Sequence, residues 1–370
     1  VSAQIVDPPS PAPTFPPQVG GAWGPVLEWP HVPVSMANLP DGRILTFASN
    51  EPNDWPASFE DEYTHAAVWD PATGDIKSVP HPSHDMFCAA IVTLESGETF
   101  VMGGRNSGLS PWVSYFDFHA DRWVQFDASE DRNRGRWYPT AVYLGSGEVF
   151  VAAGSGGGIY PEIWSDGSGW TLLSGIDLTT TMLSLGFRDG AGNWPLLQLA
   201  PDGKIFHHGA TTTMNSIDPF GGPGGLGTMT DLGPHPFGWF PDEGISVTYD
   251  EGKIMVAGGS TTSADSTSSA DVYLIDINGP APVFTPGTPM NYPRQFMNEV
   301  VLPNGDIIAV GGNTNGQKFD DDYALRNPES WNRDTGQWTL LNPQDQARTY
   351  HSTAILLLDG TVLSAGGGLN

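Results

Sequence analysis

Hydrophobic positions along this 370-residue chain fall in short runs broken by turn residues, and long runs at helical spacing are missing. Seven segments repeat one motif: an apolar strand, a tight turn ending in glycine, a second apolar strand, then usually a glycine pair or small residues. The turns are Pro40-Asp41-Gly42, Glu95-Ser96-Gly97, Gly145-Ser146-Gly147, Pro201-Asp202-Gly203, Asp250-Glu251-Gly252, Pro303-Asn304-Gly305 and Leu358-Asp359-Gly360. Each predicts a β-hairpin. A two-residue turn needs a positive φ at its end, which only glycine adopts at little cost. After most hairpins a second strand pair follows, marked by an aromatic and then a tryptophan-bearing segment. Examples are residues 67–73 then 76–80, residues 115–118 then 123–126, and Trp331 then residues 337–341.

The turn glycines lie 55, 50, 56, 49, 53 and 55 residues apart. Four strands per period of about 50 residues is the kelch blade, and seven such blades close into a ring. The expected fold is therefore all-β, a seven-bladed kelch-type β-propeller over residues 23–370. A β-sandwich would space its turns more closely and less regularly. The last blade is incomplete, with only the strands expected at residues 350–357 and 361–365. Residues 23–29 are expected to add an outermost strand from the N-terminal side. A third strand is then still wanting, so the sequence reads as a fragment with more protein expected downstream. Residues 1–22, rich in proline, read as an extended leader without a core of its own.

The formal charge of −27 makes nucleic acid and anionic membrane surfaces poor partners. No apolar stretch of about 18 residues exists to span a bilayer. The start Val1-Ser2-Ala3 resembles the small-residue end of a secretory signal, which predicts a secreted or otherwise extracytoplasmic protein. The acidic clusters Glu60-Asp61-Glu62 and Asp320-Asp321-Asp322 lack the spacing of a calcium loop and read as solvated faces. The single cysteine, Cys88, rules out an intrachain disulfide, and a lone thiol in an exported protein needs its own explanation.

The residue nine before each turn glycine starts the innermost strand of its blade, so equal phase means equal height at one mouth of the ring. In blades two, three, six and seven these residues are Cys88, Tyr138, Phe296 and His351, with Tyr350 just before the last. Singly, each has an ordinary packing role. Together, soft and phenolate donors from three blades at one height suit copper. Glu243 is in phase as well, but no second carboxylate is. A hydrolase working through an acid–base pair therefore lacks one of its partners.

Three motifs carry a resemblance to a known family. His84-Asp85-Met86-Phe87-Cys88 resembles the galactose oxidase segment with the cross-linking cysteine. Arg136-Trp137-Tyr138-Pro139-Thr140 resembles the glyoxal oxidase form of the radical-tyrosine segment. Arg348-Thr349-Tyr350-His351-Ser352 is similar to the paired axial tyrosine and equatorial histidine. Over residues 23–368 the chain thus resembles the copper radical oxidases. The resemblance implies a thioether between Cys88 and Tyr138, a radical on Tyr138, and copper held by Tyr138, Tyr350 and His351. It implies that Tyr350 takes the substrate hydroxyl proton. The implied reaction is oxidation of a small aldehyde or primary alcohol, with dioxygen reduced to hydrogen peroxide. The family's second equatorial histidine comes from a C-terminal β-domain, so a downstream domain or second chain is the expected source of that ligand. His207 and His208 lie past the turn of blade four and are poor replacements.

Galactose oxidase stacks a tryptophan on the cross-linked ring. The aligned place here is Gly156, which argues against galactose as substrate, leans toward the glyoxal oxidase branch, and leaves Trp137, Trp194 or Trp239 to cover Tyr138. Phe296 and Arg188 align with substrate-contacting residues of galactose oxidase. The rival reading is a non-catalytic propeller, an interaction or carbohydrate-binding module that keeps the site as a remnant.

Overall fold

The computed structural model describes residues 6–53, 62–105, 110–126, 135–154, 160–179, 194–209, 211, 213–236, 243–260 and 267–367. Among the described residues six four-stranded antiparallel sheets and one two-stranded sheet follow one another along the chain, each strand pairing with its sequence neighbour in the same sheet. The four-stranded sheets lie within residues 35–78, 90–126, 140–172, 196–234, 245–286 and 295–340. The two-stranded sheet is Ser352–Leu356 with Val362–Gly366. The fold is a β-propeller of six complete blades and a short seventh. By contact density the chain divides into two compact units, Ala37–His235 and Val1–Met36 with Pro236–Asn370.

The second strand of a blade shows why these sheets stack. Ile44–Phe47, Thr99–Met102 and Val149–Ala152 are buried on both faces. Strand side chains alternate, so one strand feeds two neighbours. Phe100 and Met102 of blade two pack with Val149, Val151 and Trp164 of blade three. Val101, between them, packs on Phe47 and Val68 of blade one. Phe150 and Ala152 pass the pattern on to Ile205 and Ile217 of blade four. Met255 of blade five meets Ile307 and Trp331 of blade six in the same way. The cores therefore sit between blades, and burial of each large side chain contributes roughly 1.5–3 kcal/mol.

Two expectations need correcting. Six hairpins are not two-residue turns. In blade two Gly97 donates to the Leu94 carbonyl at 2.9 Å while Leu94 donates to the Glu98 carbonyl at 2.9 Å. That is a three-residue loop, a turn followed by a left-handed glycine. Blades one, three, four, six and seven repeat the pattern. In blade five alone Asp250 pairs directly with Lys253, leaving a two-residue loop. Secondly, residues 23–29 form no strand. Gly24 and Pro25 weaken a ladder there, and the Trp23 indole donates instead to the Asn342 carbonyl at 2.8 Å. Before it, Pro17–Gly20 makes one helical turn, and Asn342 bonds Phe15 and Gly21 on either side.

Candidate active site

The in-phase positions share a backbone conformation that is rare for side-chain-bearing residues. Cys88, Tyr138, Trp194, Glu243, Phe296 and His351 all adopt left-handed φ, between 47° and 65°. In blade one the place belongs to Pro33, whose ring holds φ negative. Successive positions are laced together. Tyr138 N–H donates to the Cys88 carbonyl at 3.0 Å, Trp194 N–H to the Tyr138 carbonyl at 3.1 Å, and Phe296 N–H to the Glu243 carbonyl at 2.9 Å. Strained conformations of this kind persist where the surroundings over-determine them, and they concentrate at functional sites.

Buried arginines clamp the segments that lead in. Arg136 pairs with Glu162 at 2.7 Å and donates to the carbonyls of Ala153 and Tyr160. Arg294 repeats the device with Glu329 at 2.8 Å and the carbonyls of Gly311 and Asn327. The Cys88 segment is fixed from the other side by a histidine–serine–histidine chain. Ser83 N–H reaches His81 Nδ1, so His81 Nε2 donates to Ser114 Oγ at 2.9 Å. Ser114 in turn donates to His84 Nδ1 at 2.9 Å, and His84 Nε2 donates to the Gly103 carbonyl at 2.7 Å. Next to Gly103, Gly104 N–H holds the Arg136 carbonyl at 2.9 Å, two residues before Tyr138.

Within the unit Ala37–His235 the expected pair meets: the Tyr138 side chain comes close enough to the Cys88 thiol to favour its ionised form. Burial pushes the thiol well above the usual cysteine range, with the Tyr138 and Trp137 side chains pulling the other way. Two indoles cover Tyr138. Trp137 lies 4.5 Å from its ring at 33°, and Trp194 lies 4.3 Å away at 57°. Arg105 sits 4.6 Å over the Trp137 ring, within electrostatic reach of Cys88, Tyr138 and Asp85. Burial pushes Asp85 up to about 7, against the Phe87 N–H and Arg105.

The unit containing Pro236–Asn370 carries a second group. Tyr350 and His351 have ring centroids 3.9 Å apart, and Phe296 meets Tyr350 edge-on at 5.3 Å. Phe319 touches both Tyr350 and His351. Lys318 Nζ lies 5.0 Å over the Tyr350 ring and 3.7 Å from Glu243 Oε1. Burial, helped by the Lys318 charge, pushes His351 down to about 3, so its imidazole stays neutral, the form in which it binds metal.

No family model matches the chain. Galactose oxidase of Gibberella zeae is 31% identical over 377 residues, covering 95% of this chain and 53% of that protein. Aldehyde oxidase GLOX of Vitis pseudoreticulata is 24% identical over 341 residues, 83% of this chain and 60% of that one. A solved fungal alcohol oxidase of the AA5 family, in complex with copper, superposes with a TM-score of 0.85 at 29% identity. It covers 95% of this chain and 73% of its own. The chain is a relative of the copper radical oxidases. It spans about half the length of the curated relatives it matches.

Taken group by group, the phenol oxygens of Tyr138 and Tyr350 and the neutral imidazole of His351 are donor types that suit copper. Among the described residues no three His, Cys, Asp or Glu side chains gather to hold a metal. His207 and His208 are buried on the strand Ile205–Gly209, with His207 Nδ1 spent on Asn215 at 3.0 Å. Arg188, Gly156 and Trp239 lie outside the described residues. The acidic run at Asp320 caps a single turn: Asp320 accepts from Asp322 N–H, and Asp321 accepts from Thr349. Sequence reasoning missed Arg105, Lys318, Phe319 and the Ser114 bridge, which carry no local signal. Trp194, already named from the sequence as a candidate cover of Tyr138, carries a positional signal as well, since it stands nine before Gly203. Among the described residues no helix is long and apolar enough to cross a membrane.

Proposed function

We propose that this chain carries most of the active site of a secreted copper radical oxidase. It converts a small aldehyde or primary alcohol and reduces dioxygen to hydrogen peroxide. The observation that carries this reading is the meeting of Cys88, half-buried, with Tyr138, which is buried and covered by two indoles. Tyr138, Tyr350 and His351 would hold the copper, joined by a histidine from outside residues 1–370. Copper, when bound, supplies one-electron redox chemistry and Lewis acidity.

The remaining steps belong to the chain. Cys88 Sγ bonds to the Tyr138 ring carbon beside the hydroxyl, with two hydrogens lost to dioxygen as oxidant. This cross-link accounts for the unpaired thiol. It lowers the potential at which the ring yields an electron, and Trp137 and Trp194 shield the resulting radical from solvent. Tyr350 takes the substrate hydroxyl proton. Phe296, packed edge-on against Tyr350, forms a wall of the substrate pocket, and Arg188 contacts the substrate. Tyr138 thus keeps an aromatic cover of two tilted indoles although glycine stands at position 156.

The test is intact-mass spectrometry of the chain after copper loading in air. A loss of two hydrogens in the wild type, absent in Cys88→Ser, is the expected result. Peroxide should then form with a panel of aldehydes and alcohols once the downstream region is present. An unchanged wild-type mass sinks the oxidase reading and leaves a binding module.

A further inference from the structure

No local motif marks Arg105, but laying the seven repeats over one another does. It is the eighth residue after the turn glycine of blade two, and its counterparts in the other blades, Asn50, Ser155, Thr211, Ser260, Asn313 and Gly368, are all uncharged. Two glycines deliver it. An added Cβ would run into the Arg136 carbonyl at Gly103 and into the Asp85 carbonyl at Gly104. Without side chains there, the chain leaving the strand Thr99–Met102 passes close to the segments that lead to Cys88 and to Tyr138. Arg105 N–H then donates to the Asp85 carbonyl at 3.1 Å, and its guanidinium lies 4.6 Å over the Trp137 ring.

Trp137 is more than a cover. Its ring is 4.5 Å from that of Tyr138, and an indole gives up an electron about as readily as a phenol, so the two compete for one radical. Their products differ in charge. An oxidised phenol sheds its proton and ends neutral. Trp137 Nε1 is buried with no hydrogen-bond partner among the described residues, and the Cys88 sulfur nearby is a weak acceptor. An oxidised Trp137 therefore keeps its proton and a full positive charge. A guanidinium on the ring face attracts the neutral indole and repels the oxidised one. Asp85 lies within electrostatic reach of Arg105, but burial pushes it up to about 7, so it offsets that charge only in part.

We propose that Arg105 is a positioning residue for the radical: it confines the unpaired electron to Tyr138 by making Trp137 a poor place for the charge. This role rests on the oxidase reading, yet its test needs no copper.

Freeze-quenched EPR of the metal-free whole chain tests it, with ring-deuterated tryptophan incorporated and hexachloroiridate(IV) as the oxidant. The oxidant takes one electron, and the phenolic proton of Tyr138 leaves to buffer. In the wild type a tyrosyl signal indifferent to the label is expected. Arg105→Gln should shorten its life about tenfold and bring in a signal that the label narrows. Arg105→Asn, which borrows the residue of blades one and six, reads the same if the glutamine variant fails to fold. Arg105→Lys keeps the cation and should restore most of the lifetime. In a Trp137→Phe background the Arg105→Gln effect should vanish, which a merely structural arginine would not do. Equal lifetimes in folded wild type and Arg105→Gln, or an effect that persists without Trp137, would overturn this role. Failure of the oxidase reading shows separately, as an unchanged mass after copper loading.

Discussion

Left-handed φ at Cys88, Tyr138 and His351 places these reactive side chains in a conformation that the backbone disfavours by about 1–2 kcal/mol apiece. The bonds around them supply the compensation, from the Arg136–Glu162 pair to the His81–Ser114–His84 chain. Burial has a separate consequence at His207 and His208, which it pushes down to about 4 and about 3. Their ordinary value of 6.5 returns on unfolding, so acid protonates the unfolded chain first. Stability is then full above about pH 6.5 and drains away as pH falls toward 4. At pH 5 His207 alone accounts for roughly 2 kcal/mol of loss relative to neutral pH. Urea midpoints at pH 7.5 and pH 5 should show the drop, and His207→Gln should lose less. Equal losses in both proteins would show that this imidazole titrates normally in the fold.

At the scale of single elements, the hairpin glycines separate backbone strain from packing. Gly203 has φ 82°, and an added Cβ would meet nothing within 4 Å. Gly97 has φ 96°, and its Cβ would fall 2.3 Å from Pro40 Cγ on the neighbouring blade. Gly203→Ala should therefore cost about 1–2 kcal/mol, the left-handed penalty alone. Gly97→Ala should cost about 1–3 kcal/mol more, because the overlap must push two blades apart. Denaturant melts of the two variants side by side provide the comparison. Equal costs would mean that Pro40 yields freely.

For the whole molecule, 42 acidic against 15 basic side chains leave a self-repelling surface. Repulsion of that kind opposes compaction and is screened over about 10 Å at 0.1 M salt. The melting temperature should rise by several degrees between low and about 0.5 M sodium chloride, most steeply at the low end. A melting temperature that is flat or falls with salt would indicate that ion pairs such as Arg43 with Asp41 and Asp121 outweigh the repulsion.

The blades, the hairpins and the equivalent place in the repeat of Cys88, Tyr138, Phe296 and His351, which share a left-handed φ, were legible in the amino-acid order. They rest on local rules: alternation along a strand, glycine at a positive φ, and a repeat length counted off the chain. The loop type was not legible, because two- and three-residue hairpins differ only in which carbonyl the residue before the turn faces. Nor could the order of residues show that Trp194 and Trp137 both cover Tyr138, or that Lys318 lies over Tyr350. Trp194 and Tyr138 are 56 positions apart, and their contact exists only because neighbouring blades interdigitate their buried strands. Packing between blades, which no short-range pattern encodes, decides which side chains meet at the candidate site.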